Sequence, residues 1–257
     1  MREAPHPDWL VPAWDAPGVG ALMSTRAGGV SRGPFASLNL RDGLGDDPAA
    51  VATNRARFAA SLGGLPVRLE QVHGTRVVRL TSADAAAGAP VHTADASITT
   101  EPGVACVVQV ADCLPVLLAA PGAVGAAHAG WRGLAGGVIE QTAAALCEAT
   151  GAAPQALRAW LGPCIGPRRF EVGPDVLEAC GVDPSAVPEP HVRFVPQASG
   201  KWLADLAGLA RDRLRLLGVT SIDGGCWCTV EDASRFFSFR RDHVTGRMAA
   251  AIWLEGR

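Results

Sequence analysis

Between residues 104 and 150 the chain carries two apolar runs rich in Val and Leu. Both are short and bounded by small or polar residues, which is the pattern of strands buried on both faces. One stops at Ala111-Asp112-Cys113 and the other at Ala127-His128-Ala129, so a thiol and an imidazole each stand at a predicted strand end. Gly130-Trp131-Arg132-Gly133 and Gly136-Gly137 follow, and then Val138, Ile139, Thr142, Ala143 and Leu146 recur at helical spacing. The expectation is a glycine-rich turn feeding a helix N-terminus, where free backbone N–H groups favour an anion.

Elsewhere the pattern alternates between strand and helix periods. Residues 18–40 predict a strand and then a long structured loop anchored by Val30, Phe35 and Leu38, with Arg26 at its start as either a surface charge or an anion ligand. Asp46-Asp47-Pro48 starts a helix that buries Val51, Phe58 and Leu62 and ends at Gly63-Gly64. Thr75 to Leu80 reads as a strand, which leaves His73 at a strand–loop junction as either a hydrogen-bonded structural residue or a ligand. Ala94 to Thr99 alternates before the turn Glu101-Pro102-Gly103, Leu157 to Leu161 reads as a strand, and Pro174 to about Cys180 as a helix. A loop rich in proline and acidic residues then reaches His191. Trp202 to Leu217 has the spacing of an amphipathic helix ended by Gly218. Phe236 to Asp242 reads as a strand with Arg240 and Arg241 on opposite faces, followed by a turn at Thr245-Gly246-Arg247 and a strand over Met248 to Leu254.

Composition narrows the classes. A chain of 257 residues that is 48% hydrophobic buries a substantial core, and residues 1–257 are expected to form one domain. No uninterrupted apolar stretch is long enough to span a bilayer, and the N-terminus MREAPHPDWLVPAW does not read as a secretory signal, so the expectation is a cytoplasmic protein without a membrane partner. Seven cysteines without a compact framework fit reduced thiols. A net charge of -2 with interspersed signs gives no broad attraction for nucleic acid. Lys201 is the only lysine and tyrosine is absent, so anions must be recognised by arginine, His or backbone N–H groups.

His73, Cys113 and His128 supply two imidazoles and a thiolate, a set that suits Zn2+ and also Cu2+, and three protein ligands leave a coordination position open for chemistry. Spacing alone does not bring them together. Asp112 is read first as the partner that orients a ligating His, and otherwise as a general acid or base or a solvated strand end. Cys164, between Pro163 and Ile165, is read as a small buried apolar residue rather than a fourth ligand. Cys226 and Cys228 are one residue apart and lack companions for a zinc ribbon.

QVHG from Gln71, ADC from Ala111 and HAGWRG from His128 resemble three signatures of the YfiH/laccase-domain family, whose members are known variously as purine nucleoside phosphorylases, multicopper polyphenol oxidases and peptidoglycan editing factors. The resemblance continues through STRAGGVSRGPFASLNL from Ser24, GDDPAAVATNR from Gly45, ADASIT from Ala94, GPCIGP from Gly162, FEVG from Phe170 and FFSFRRDHVTGR from Phe236. It implies an α+β fold with a mixed β-sheet core flanked by helices, layered α/β/β/α. It further implies a metal centre at His73, Cys113 and His128, usually zinc and sometimes copper, which are then also the catalytic residues. The implied activity is phosphorolysis of purine nucleosides (adenosine, inosine, guanosine and methylthioadenosine) to base and pentose 1-phosphate, accompanied by adenosine deamination. Family members commonly have Tyr where this chain has Phe170 and Phe239, and Gly where it has His243, which bears on substrate preference. Arg26, Asp112 and Arg132 are the substrate-binding candidates, with phosphate held by Arg132, the turn around Gly133 and Arg26. Two other chemistries stay open: a Cys113 nucleophile with His128 as base, acting on peptidoglycan precursors, and a copper-dependent polyphenol oxidase.

Overall fold

The computed structural model describes residues 2–186 and 192–256, so the end of the expected loop at His191 lies outside the described residues. In chain order the first half forms β1 (Val19–Met23), α1 (Pro48–Ala60), β2 (Leu65–Val67), β3 (Val77–Leu80), β4 (Ala96–Thr99), β5 (Val104–Val110), β6 (Leu114–Ala120), β7 (Ala123–Ala129), α2 (Trp131–Gly136) and α3 (Val138–Thr150). The second half adds β8 (Arg158–Leu161), β9 (Glu171–Val172), α4 (Pro174–Ala179), β10 (Phe194–Pro196), β11 (Trp202–Ala204), α5 (Leu206–Leu216), β12 (Ser221–Gly224), α6 (Phe239–Asp242) and β13 (Met248–Leu254).

Two mixed sheets carry the core, one in the order β1-β13-β5-β2 and the other β12-β8-β6-β7-β4-β3, with a small sheet β10-β11-β9 beside them. The two-residue period of each strand decides the layering. Cys106, Val108 and Val110 of β5 and Met248, Ala250 and Ile252 of β13 meet Leu117, Ala119, Val124 and Ala126 of the larger sheet, which makes the interface between sheets. The alternate residues Ala105, Val107, Ala249, Ala251 and Trp253 turn outward onto Phe58 of α1 and onto Leu62 and Trp9. On the far side Leu114, Val116 and Leu118 of β6 pack against Val138, Ile139 and Leu146 of α3 and Ala210 and Leu214 of α5. The result is the expected α/β/β/α order. Strands buried on both faces read as unbroken apolar runs, which is why the periodicity located them.

Local chemistry sets the helix starts. Asp47 caps α1, its side chain accepting the Ala49 N–H, with Pro48 in the first turn. Three expectations are corrected. The predicted helix from Trp202 begins only at Leu206, because Asp205 caps it by accepting the Gly208 N–H at 2.8 Å, while Trp202 to Ala204 pair with β10 and β9. Phe236 to Asp242 is not a strand: Phe236 and Phe237 are buried, and Ser238 caps the single turn α6 by accepting the Arg241 N–H. The segment after Gly130 is helical from Trp131, and Gly137 at φ 96° breaks it from α3.

Leu118, fully buried on β6, tests the layering. Leu118→Ala is expected to lower unfolding free energy by about 2–5 kcal/mol, seen as a lower urea midpoint with an unchanged denaturant slope.

Candidate metal centre

Asp95 stands immediately before β4 and is fully buried. A solitary carboxylate in that position would be driven to the neutral form. Burial does push its pKa up, but hydrogen bonds from His128 and from the backbone of Gly74 and Val72 outweigh it and hold the group below the ordinary carboxylate value. Oδ1 accepts from the His73 N–H at 2.9 Å and from His128 Nδ1 at 2.8 Å; Oδ2 accepts from the Gly74 N–H at 2.7 Å and the Val72 N–H at 3.1 Å. One carboxylate thereby fixes two histidines. It holds the backbone of the loop in which His73 adopts the unfavourable φ of 60°, and it accepts a hydrogen bond from His128 Nδ1–H, leaving Nε2 as the ligand nitrogen.

β4 pairs with β7, placing Asp95 beside His128, whose backbone N–H also donates to the Asp95 carbonyl at 2.7 Å. Cys113 lies at the corner where the chain leaves β5 in one sheet and enters β6 in the other, after Asp112 at φ 90°. Its Sγ is 3.7 Å from His73 Nε2, and the rings of His73 and His128 are 4.8 Å apart between centroids. One donor atom from each of His73, Cys113 and His128 lies within 4.8 Å of the others.

The neighbouring glycines make room for this convergence. A Cβ on Gly130 would come within 2.8 Å of His73 Cδ2 and 3.0 Å of Cys113 Sγ; one on Gly133 would come within 2.9 Å of the Gly74 carbonyl. Two imidazole nitrogens and a soft thiolate, with the second nitrogen of His128 already committed to a carboxylate, are the donor set and support of a transition-metal site. The three residues fit such an ion.

Without metal the same proximity couples their protons. Burial alone would raise the Cys113 pKa, but the positive His128 and hydrogen bonds from His128 and His73 bring it down to about 6. Burial would lower His128, and the Cys113 thiolate together with Asp95 raises it to about 9. The pair therefore rests as thiolate and imidazolium at neutral pH.

The cluster opens into a cavity of about 360 Å³. Gln71 and Gln109 line it, joined by paired bonds between the Gln71 side chain and the Gln109 backbone at 2.8 and 2.9 Å. Arg41 and Arg247 line another part, and Phe239 and Leu44 add an apolar part. Both arginines hang on Asn39, which is fully buried: its Oδ1 accepts the N–H of Arg41 at 3.1 Å and that of Arg247 at 2.9 Å. Burial, and next the neighbouring Arg41, lower the Arg247 pKa, and Arg41 is itself paired with Glu70 at 3.4 Å. Arg247 donates through Nη1 to the carbonyls of Thr245 and Gly246.

Of the substrate-binding candidates, none is among the residues that line this cavity. Arg26 donates to the carbonyls of Ala36 and Ala233 and lies over the Phe237 ring. Arg132 lies over Trp131. Asp112 does not orient a histidine; it accepts from Thr229 Oγ1 at 2.5 Å and from the Arg240 N–H at 2.6 Å, and Asp95 has the role expected of it. Cys164 is buried outside the cluster, its thiol pushed well above its ordinary value by burial. Asp95 carried one sequence signal, an acid opening a buried alternating segment, and Arg41 and Arg247 carried none beyond the general need for arginine.

The family described as multi-copper polyphenol oxidoreductase laccase matches residues 20–255. The chain belongs to this YfiH/laccase-like family. It is 49% identical to the purine nucleoside phosphorylase YfiH of Escherichia coli, over 95% of this chain and 98% of that protein. It is 43% identical to a purine nucleoside phosphorylase of Haemophilus influenzae, over 98% and 100%. Two solved structures share the fold: the Neisseria meningitidis protein NMB0706, at TM-score 0.87 and 46% identity over 97% of this chain and 100% of that one, and YlmD from Geobacillus stearothermophilus, at 0.88 and 35% over 100% and 98%. No helix among the described residues is long and apolar enough to cross a membrane.

Two outcomes follow from this geometry. Asp95→Asn should weaken zinc binding about 10–100-fold in a chelator competition, because the amide offers one acceptor oxygen where two are used. In metal-free protein, alkylation of Cys113 by iodoacetamide should be rapid at pH 7–8 and fall as pH drops through about 6, since the thiolate is the reactive form and is lost below its pKa. His128→Asn should move that midpoint upward, toward the ordinary thiol range.

Proposed function

We propose that this chain is a metal-dependent purine nucleoside phosphorylase, acting on adenosine, inosine, guanosine and methylthioadenosine, with a secondary adenosine deaminase activity. The observation that carries the reading is the joining of the His73–Cys113–His128 cluster and the Arg41–Arg247 pair in one cavity. The names of the relatives support the same reaction class. A volume of about 360 Å³ falls in the range of small-ligand pockets.

Phosphorolysis joins a phosphate oxygen to the anomeric carbon as the bond to the base nitrogen breaks, with positive charge developing on the ribose. Arg41 and Arg247 supply the anion site. Their guanidinium groups are planar and permanently charged, and the shared Asn39 bracket fixes the backbone from which both side chains project. The same pair holds the phosphate group of the pentose 1-phosphate product. This assignment moves phosphate from Arg26 and Arg132, which do not line the cavity, to the pair that does. His73, Cys113 and His128 would hold the ion, with zinc preferred and copper the alternative. With zinc bound, these residues would gain Lewis acidity and the activation of a water to a pKa of about 7, the chemistry deamination requires.

A second reading has one specific observation behind it: Cys113, His128 and Asp95 form a thiolate–imidazole–carboxylate series, the arrangement of a cysteine hydrolase acting on peptidoglycan precursors. Metal stripping separates the two, since a thiol hydrolase gains reactivity without the ion and the phosphorylase loses it. Polyphenol oxidation by several coppers needs further ligands, and among the described residues the three-residue cluster is the one such group.

The test is to incubate metal-loaded protein with inosine or adenosine, with and without phosphate, beside Cys113→Ala. Free base and ribose 1-phosphate should form only with phosphate and only in the intact protein; inosine from adenosine as the sole product would leave a deaminase. Arg247→Ala should raise the KM for phosphate at least about tenfold, a loss of about 1.4 kcal/mol, with a smaller change in the KM for nucleoside.

A further inference from the structure

We propose that the ring of Phe239 is the platform on which the purine base stacks, which makes it the residue that selects flat aromatic leaving groups. The inference rests on the phosphorylase reading and specifies its base subsite. Phe239 lines the cavity of the metal cluster and stays 51% exposed, so part of its apolar ring is open to a ligand. It is not a loosely held side chain. Ser238 caps its turn, and the Arg241 guanidinium fastens that turn through the carbonyls of Thr229, Val230 and Phe236 and the carboxylate of Asp242. The next residue, Arg240, donates its N–H to Asp112 at 2.6 Å, and Asp112 directly precedes Cys113. The turn that carries the ring is therefore tied to the residue before Cys113 through a single carboxylate.

His243, at φ 57°, sets its ring edge-on to Phe239 at 6.0 Å and 82°, which limits how far the phenyl group can turn away. Arg247 places its guanidinium over one face of the same ring, 5.7 Å from its centroid, which leaves the other face for the base. The base and phosphate subsites are thus adjacent, as a reaction at the carbon between them requires. An aromatic face accepts any purine, because every base presents a π-surface, and gives no purchase to a non-aromatic leaving group. A phenyl ring without a hydroxyl also favours stacking over hydrogen bonding, so adenine, hypoxanthine and guanine should be accepted with little discrimination.

The experiment combines inosine binding to the zinc-loaded protein by calorimetry, without phosphate, with steady-state kinetics varying inosine and phosphate separately. Phe239→Ala should weaken inosine binding and raise its KM about tenfold or more, with the phosphate KM changed less than about threefold. Phe239→Trp should restore inosine affinity, and Phe239→Leu, which keeps bulk but not the π-face, should not. Circular dichroism should show an unchanged fold, the position being exposed. Unchanged inosine affinity in Phe239→Ala, or full rescue by leucine, overturns the stacking role while leaving the phosphorylase reading intact. Wild-type protein that turns over no nucleoside but still binds inosine through Phe239 overturns the reaction and keeps the subsite, and wild-type protein that binds no purine nucleoside overturns both.

Discussion

The Asp95 carboxylate is the constraint on which the site depends. It bonds both to the loop bearing His73 and to the imidazole of His128 on the neighbouring strand, and reaches each through hydrogen bonds below 3 Å. A buried charge is tolerated when its lone pairs are filled, and here three backbone N–H groups and an imidazole fill them. The arrangement couples backbone geometry to ligand geometry: His73 is held in a left-handed conformation, uncommon outside glycine, with its N–H on the carboxylate.

Around that carboxylate the fold supplies proximity. The chain crosses from one sheet to the other between β5 and β6, and the corner delivers Cys113 beside the end of β7. Gly130 and Gly133 let backbone approach where any side chain would collide with a ligand or its loop. Asn39 then brings together Arg41 and Arg247, although its bond to the latter spans 208 residues of sequence. His128 faces the negative charge of both Cys113 and Asp95, while Arg41 and Arg247 bring two guanidinium groups to the same cavity.

The central strands were legible as apolar runs and the first helix by its Asp47-Pro48 start, while the layered arrangement was an expectation from the family resemblance. The three candidate ligands were legible through motifs, each short and each at a predicted strand end or junction. Asp95 was not, since a carboxylate's partners lie across strand pairings that local pattern does not encode. Asp112 drew attention by standing beside Cys113, yet the turn at φ 90° directs it to Thr229 and Arg240. Asp205 was read as one polar position within a helix, when its ability to accept the Gly208 N–H makes it the start. Arg41 and Arg247 were hidden by the abundance of arginine and by a bracket that only the folded chain assembles.

The most direct measurement is X-ray absorption at the metal edge of the protein purified without added chelator. The account predicts one ion per chain, with one sulfur at about 2.3 Å and two imidazole nitrogens at about 2.0–2.1 Å if the ion is zinc, and loss of the sulfur shell in Cys113→Ala. A shell of oxygen and nitrogen only, or an unchanged spectrum in that variant, would contradict it.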